Sequence, residues 1–186
     1  MIEVEIKLPV KDLSEIAEKL KNMGFSEGKY LEESDIYFNS EFHNFVKTGE
    51  AFRIRRVMDL TTGEETSLIT YKGPRLDSVT KTRQEIETSV GSGDDFNTIL
   101  NLLGFTPVSP VVKQRRYMHR ENLTACLDTV NGLGSFLELE IIVADDRQRE
   151  DAVAALEKNL SQLGYSLADT VKTSYLGLLQ QKMNRH

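Results

Sequence analysis

The chain has 186 residues, of which 39% are hydrophobic and 28% charged, and its formal net charge is −6. This length and composition predict one folded domain covering residues 1–186 and disfavour a disordered chain. The negative net charge disfavours binding to nucleic acid, and the lack of a long apolar run disfavours a membrane span. The first residues do not follow a secretory leader pattern, which predicts a cytoplasmic location.

Strands and amphipathic helices alternate along the predicted chain. Eight strands are expected, at residues 1–10, 34–39, 50–57, 66–72, 80–90, 111–120, 123–130 and 134–143. Helices are expected within residues 11–25, 94–105, 149–165 and 173–182, although Gly177 weakens the last one. Turn residues at 61–65, 73–80 and 131–134 separate strands, and the last of these predicts a tight hairpin.

The sequence also matches itself at a shift of 80 residues. Glu5 and Ile6 align with Glu85 and Ile86, Gly24 and Phe25 with Gly104 and Phe105, and Tyr37 with Tyr117. Three widely separated matches indicate a duplicated strand–helix–strand unit.

Charged residues in the predicted strands occupy alternate positions, and apolar residues occupy most of the positions between them. Successive side chains of a strand point to opposite faces, so each strand has one charged face and one apolar face. The charged sets are Glu3, Glu5 and Lys7; Arg53 and Arg55; Lys81, Arg83, Glu85 and Glu87; Lys113 and Arg115; and Glu138 and Glu140, with Lys72 and Asp128 adding one each.

The charged face has two possible environments. The amphipathic helices would cover the apolar face, which leaves the charged face toward open solvent or toward the interior of a closed sheet. Paired arginines and paired carboxylates two residues apart favour the interior, because neighbouring groups on a strand converge on one ion or phosphate. The sequence therefore predicts an α+β, mainly β fold, in which an eight-stranded antiparallel sheet closes into a tunnel with helices outside.

The two signs of charge predict two kinds of ligand. Arginine and lysine side chains suit phosphate oxygens. The carboxylates have no histidine or cysteine close in sequence, and oxygen ligands alone favour Mg²⁺ or Mn²⁺ over zinc. Both clusters in one cavity would suit a complex of a divalent cation with a polyphosphate.

The opening EVEIK resembles the Glu-x-Glu-x-Lys signature of the CYTH family, the triphosphate tunnel metalloenzymes. FRIRR, TYKGP, TRQEIE, VVKQRR and LDTVNGLGSFLELE follow in the order of that family. The run GLGSFLELE is most similar to the class IV adenylyl cyclase branch.

This resemblance implies roles for residues that match the family motifs. Divalent metal would be held by Glu3, Glu5, Asp128, Glu138 and Glu140, and triphosphate by Lys7, Arg53, Arg55, Lys72, Arg83, Lys113 and Arg115. Lys7, Glu138 and Glu140 would be catalytic. Glu85 and Glu87 match an acidic pair of variable role, and Tyr37 would either position a reacting group or pack with a hydrogen-bonded hydroxyl.

The resemblance implies a metal-dependent enzyme that takes a small-molecule triphosphate, with a homodimer as the default assembly. In a cyclase, one metal would orient the triphosphate of ATP, and a second would activate the ribose 3′-hydroxyl, which attacks the α-phosphorus and releases pyrophosphate. A triphosphatase would instead direct water at the terminal phosphorus. A barrel that binds polyphosphate without turnover is the non-enzymatic alternative, although its carboxylates would then repel the ligand.

Overall fold

The computed structural model describes residues 2–74, 84–108 and 110–184. The strands are β1 (Ile2–Pro9), β2 (Ser26–Ser40), β3 (Ala51–Asp59), β4 (Glu65–Lys72), β5 (Glu85–Val90), β6 (Phe105–Pro107), β7 (Val111–Arg120), β8 (Leu123–Val130) and β9 (Gly134–Val143). The helices are α1 (Leu13–Asn22), α2 (Phe45–Thr48), α3 (Gly93–Leu102), α4 (Arg149–Gln162) and α5 (Tyr175–Met183). Two 3₁₀ turns lie at Asp146–Gln148 and Leu167–Asp169.

One antiparallel sheet contains these strands in the order β1-β9-β8-β7-β2-β3-β4-β5, and β6 pairs with the end of β2. The sheet curls into a half-barrel, which confirms the predicted antiparallel, mainly β architecture with helices outside. The sheet does not close into the expected tunnel, since its two edge strands, β1 and β5, are not paired with each other within the described residues. Instead, the Val171 amide donates to the Lys7 carbonyl at 2.7 Å, so the segment before α5 lies along part of the outer edge of β1.

The apolar faces of the strands pack against helices on the outside of the sheet. The largest core joins β1, β8 and β9 to α1 and α4 through fully buried residues such as Leu8, Leu20, Leu137 and Leu156. Burying each such leucine contributes about 1.5–3 kcal/mol. A smaller core places Leu100 of α3 against the sheet. With apolar groups outside, the alternate positions of the strands point inward.

The sheet order agrees with the predicted internal repeat. A shift of 80 residues superposes β1, α1 and β2 on β5, α3 and β7, and the sheet order is symmetric about the β2–β7 pair. At the centre of that pair, Glu33 lies directly opposite Lys113, its own counterpart in the repeat.

Several elements differ from their predicted bounds. Strand β2 begins at Ser26 rather than at residue 34, because its polar first half pairs with β7. The short α2 and β6 were absent from the prediction, since both are shorter than a periodic pattern requires. Helix α5 forms despite Gly177, and Ser174 caps its first turn. Strand β5 begins at Glu85, and residues 80–83 of its predicted span lie outside the described residues.

None of the helices in the described ranges combines the length and apolar character needed to cross a membrane.

Candidate active site

A charged cavity of about 240 Å³ lies on the concave side of the half-barrel. This volume is slightly below the roughly 300–1,000 Å³ typical of ligand pockets. The described residues that line it come from β1–β5, β7, β9 and the start of α5: Glu3, Glu5, Lys7, Asp35, Tyr37, Arg53, Arg55, Lys72, Glu85, Glu87, Lys113, Arg115, Tyr117, Glu138, Glu140, Ser174 and Tyr175. Charged groups of both signs therefore share one enclosure.

The arginines of β3 are held by a buried carboxylate on the neighbouring strand β2. Asp35 accepts hydrogen bonds from Arg55 Nε at 2.6 Å and Arg55 Nη2 at 2.8 Å, and from Arg53 Nη1 at 3.0 Å. Burial disfavours ionisation of Asp35, but the charges of Arg53 and Arg55 hold its pKa below its usual range. Both guanidinium groups are thus fixed before any ligand binds.

Glu33 has the same role two residues earlier on the same face of β2. Its Oε2 lies 2.8 Å from Arg55 Nη1 and 3.1 Å from Lys113 Nζ. Burial opposes ionisation, but the Lys113 and Arg55 charges dominate and lower the pKa of Glu33 to about 2. Glu33 and Asp35 therefore stay ionised and balance the cations of β3 and β7.

Asp128 lies fully buried behind the cavity, and arginine binds both of its oxygens. Arg115 donates to Oδ1 at 2.6 Å and to Oδ2 at 2.5 Å, and the Tyr175 hydroxyl donates to Oδ2 at 2.8 Å. Arg115 also donates to Glu138, whose Oε1 lies 3.9 Å from Lys7 Nζ. Asp128 thus orients Arg115.

Four carboxylates, Glu3 and Glu5 of β1 and Glu138 and Glu140 of β9, form an acidic cluster on one side of the cavity. In the β1–β9 register, Glu5 lies opposite Glu140, and Lys7 lies opposite Glu138. Burial, followed by the charge of Glu3, raises the pKa of Glu140 to about 8. Burial and the charge of Glu5 also raise the pKa of Glu3. The mutual repulsion of these carboxylates would be relieved by a bound cation.

The composition of the acidic cluster fits a hard divalent cation, because its donors are carboxylate oxygens. Within the described residues, no three acidic, histidine or cysteine side chains converge into a ready-made metal site. Glu138 is engaged by Arg115. Metal binding at the acidic cluster would therefore require its side chains to rotate toward a common point.

The opposite side of the cavity contains the end of β4 and the edge strand β5. Lys72 Nζ donates to Glu85 Oε2 at 2.5 Å, and Thr70 Oγ1 donates to Glu87 Oε2 at 2.7 Å. Thr70 also accepts a weak hydrogen bond from Arg53 Nε at 3.4 Å. These contacts connect the acidic pair of β5 to the cations of β3 and β4.

The structure brings most of the predicted site residues together. Thirteen of them line the cavity: Glu3, Glu5, Lys7, Tyr37, Arg53, Arg55, Lys72, Glu85, Glu87, Lys113, Arg115, Glu138 and Glu140. Asp128 contacts them from behind, and Arg83 lies outside the described residues. The predicted set lacked Glu33, Asp35, Tyr117, Ser174 and Tyr175. Parity along "EESDIYF" would have found the first two, since they share the parity of Tyr37.

A comparison with protein-family models matches residues 1–175 to the CYTH domain. The chain belongs to the CYTH family. CYTH proteins are metal-dependent and typically act on small-molecule triphosphates. The cavity of this CYTH domain contains both the cations that suit a triphosphate and the carboxylates that suit a divalent metal.

Individual relatives match this CYTH domain over nearly its whole length. A Methanocaldococcus jannaschii protein named putative adenylate cyclase is 37% identical over 96% of this chain and 98% of its own. The solved structure of a Pyrococcus horikoshii protein is 38% identical, covers 97% of this chain and 99% of its own, and has a TM-score of 0.87. A Hippeastrum protein, described as a putative adenylyl cyclase with dominant triphosphatase activity, is 17% identical over 97% of this chain and 95% of its own, with a TM-score of 0.65.

Proposed function

We propose that this CYTH domain is a divalent-metal-dependent adenylyl cyclase that converts ATP to cyclic AMP and pyrophosphate. The observation that carries the proposal is the presence of the cationic side chains and the acidic cluster in one cavity. The choice of cyclase within the family follows the name of the M. jannaschii relative.

The cations would bind the triphosphate. Arg53, Arg55 and Arg115 present guanidinium groups for paired hydrogen bonds, while Lys7, Lys72 and Lys113 provide point charges, and Arg83 is proposed to join them. A cavity of about 240 Å³ suits the phosphate part of a nucleotide better than a whole nucleotide. We therefore expect the nucleoside to lie toward the mouth of the cavity.

The acidic cluster would hold Mg²⁺ or Mn²⁺, with Asp128 as a further ligand if Arg115 moves to phosphate. The cation would supply charge neutralisation between phosphate oxygens and activation of the attacking hydroxyl. In the cyclase reaction the ribose 3′-hydroxyl loses its proton to water and its oxygen bonds to the α-phosphorus. The bond between the α-phosphorus and the oxygen bridging it to the β-phosphorus breaks, which releases pyrophosphate. Lys7 would stabilise the negative charge that develops there.

The first test separates products. The purified chain is incubated with ATP, thiamine triphosphate or tripolyphosphate in the presence of Mn²⁺, and cyclic AMP, pyrophosphate and orthophosphate are quantified. A cyclase yields cyclic AMP and pyrophosphate in equal amounts from ATP. Orthophosphate without cyclic AMP would contradict the cyclase assignment.

The second test removes one carboxylate. Glu138→Gln keeps the size of the side chain but removes its charge, so we expect at least a 100-fold loss of Mn²⁺-dependent turnover with the fold retained. Glu157→Gln, at an exposed position of α4, is the matched control and should turn over at the wild-type rate. Normal turnover by Glu138→Gln would remove Glu138 from the site.

Hydrolysis of the terminal phosphate is the second candidate, because the same cations would bind a triphosphate whichever phosphorus is attacked. Water would replace the ribose hydroxyl as the attacking group. The Hippeastrum fold neighbour is itself described as having a dominant triphosphatase activity. Binding without turnover is the third candidate, which the product assay distinguishes from both reactions.

A further inference from the structure

Tyr175 differs from the other aromatic side chains of the cavity because it comes from a helix, whereas Tyr37 and Tyr117 come from strands. It is the first residue of α5, and its side chain is buried against the site. The Lys7 ammonium lies 4.0 Å from the centroid of its ring, and the Lys113 ammonium lies 5.4 Å from it. One side chain of α5 thus contacts two cations that line the cavity.

The ring of Tyr175 is held from several directions. Its hydroxyl donates to Asp128, and its edge packs against Phe136 with ring centroids 5.0 Å apart and an interplanar angle of 68°. Just before α5, the Val171 amide bonds to the carbonyl of Lys7 itself. The segment that contains the ring is therefore attached to the same residue whose ammonium the ring contacts.

Lys7 pairs with a carboxylate as well as with the ring. The Lys7 Nζ lies 3.9 Å from Glu138 Oε1, and the lysine side chain is 1% exposed. A buried ammonium over an aromatic face at 4.0 Å has the geometry of a strong cation–π contact. The ring therefore helps to keep the ammonium of this flexible side chain directed into the cavity.

We propose that Tyr175 is a positioning residue that acts through Lys7, so that α5 forms part of the triphosphate site. This proposal rests on the proposed function in one respect, namely that Lys7 contacts the triphosphate. It assigns the positioning of Lys7 to the ring of Tyr175 and not to its hydroxyl group.

The test is a double-mutant cycle on binding of tripolyphosphate, measured by calorimetry in the presence of Mn²⁺. We expect Tyr175→Leu to weaken binding 5- to 10-fold and Lys7→Met to weaken it 10- to 30-fold. If the ring acts through Lys7, the double variant binds no more weakly than Lys7→Met alone. If the affinity loss of the double variant equals the product of the two single losses, Tyr175 acts independently of Lys7 and the proposal is overturned.

Conservative variants separate positioning from packing. Tyr175→Phe keeps the ring and should bind tripolyphosphate within 3-fold of the wild type. Leu178→Ala reduces packing of α5 in the same apolar cluster without changing the ring at Lys7, and it should also bind normally. Equal weakening in Leu178→Ala and Tyr175→Leu would show a packing effect and overturn the proposal. If Tyr175→Leu does not fold, Tyr175→Met replaces it in the cycle.

This design distinguishes a failure of the proposed enzymatic function from a failure of the proposed role of Tyr175. A wild-type chain that binds tripolyphosphate but converts no triphosphate overturns the enzymatic function and leaves the cycle interpretable. A wild-type chain that binds no triphosphate with Mn²⁺ overturns both.

Discussion

Glu33 and Asp35 are buried acids on the inner face of a sheet whose neighbouring strands supply arginine and lysine. Removing charges from water is costly unless they are paired, so the cations of β3 and β7 require these partners in the absence of a ligand. The pairs also fix the guanidinium groups, which reduces the ordering cost when phosphate binds. The free protein thus carries an internal substitute for part of the anionic ligand.

Asp35→Asn should be strongly destabilising. The variant leaves Arg53 and Arg55 without their shared carboxylate, and loss of one partner of a buried pair costs about 3–5 kcal/mol. Urea unfolding measures this loss, with the exposed Glu41→Gln as control. Tripolyphosphate with Mn²⁺ should restore more stability to the variant than it adds to the wild type. An unchanged free energy of unfolding would show that Asp35 does not balance these arginines.

The raised pKa of Glu140 predicts how the free energy of unfolding depends on pH when no metal is present. Its pKa is about 8 in the folded chain and near 4.5 when unfolded, so the folded state binds more protons between these values. Stability should therefore fall as pH rises from about 5 through 8. Glu140→Gln removes this loss and should be more stable than the wild type at pH 8.5 by about 2 kcal/mol, discounted for its partial exposure.

Thermal unfolding at pH 5.5 and 8.5 in the presence of a chelator measures this difference. Glu157→Gln, on the exposed face of α4, provides the control. Parallel pH profiles for the wild type and Glu140→Gln would contradict the assignment.

The predictable residues are those whose strands alternate cleanly between charged and apolar. Lys7, Arg53 and Glu138 each lie between apolar neighbours, so their direction follows from the pleat. Glu33 shares the parity of Asp35 and Tyr37, but the charged Glu32 beside it makes the alternation less clear at that point. Tyr175 lies on a helix, and no strand period reveals that the first turn of a helix lines the cavity.

At the scale of elements, the β8–β9 hairpin supports α5. Gly132 in its turn has φ of +78°, and a Cβ there would lie 3.2 Å from Leu179 Cδ2. The Gly132 carbonyl also accepts a hydrogen bond from Lys182 at 2.7 Å. The turn was predicted from sequence, but its contact with α5 depends on the full fold.

Gly132→Ala should destabilise the chain by about 1–2 kcal/mol, because left-handed backbone is unfavourable for alanine. Chemical denaturation measures the change. Gly91→Ala is the matched control, since an added Cβ there meets nothing within 4 Å and its backbone is not left-handed. If Gly132→Ala were as stable as Gly91→Ala, the left-handed backbone at Gly132 would not disfavour alanine there.

At the scale of the whole molecule, the lining charges of the described residues do not favour an anion. Six cations there face seven carboxylates, and Glu33 and Asp128 add negative charge behind them. Divalent cations would reverse this balance near the phosphates. The fold prediction succeeded at this scale because alternation fixes which strand faces are buried, whereas the extent of closure depends on curvature that no local pattern encodes.

Tripolyphosphate should therefore bind at least 30-fold more weakly with EDTA than with Mn²⁺. Calorimetry at constant ionic strength measures both affinities, and Ca²⁺ at the same concentration controls for general charge screening. Equal affinity with and without Mn²⁺ would indicate that the cations alone bind the phosphate and would favour the non-enzymatic alternative.

The symmetry of the sheet places Glu33 opposite Lys113 at the centre of the repeat. Two identical copies of either half, assembled as a pair, would bring glutamate against glutamate or lysine against lysine at that point. Asp35 and Arg115, and likewise Lys7 and Glu87, are also counterparts of opposite sign. In a single chain, matched positions of the two halves can carry complementary charges, an asymmetry that a dimer of equal subunits cannot possess.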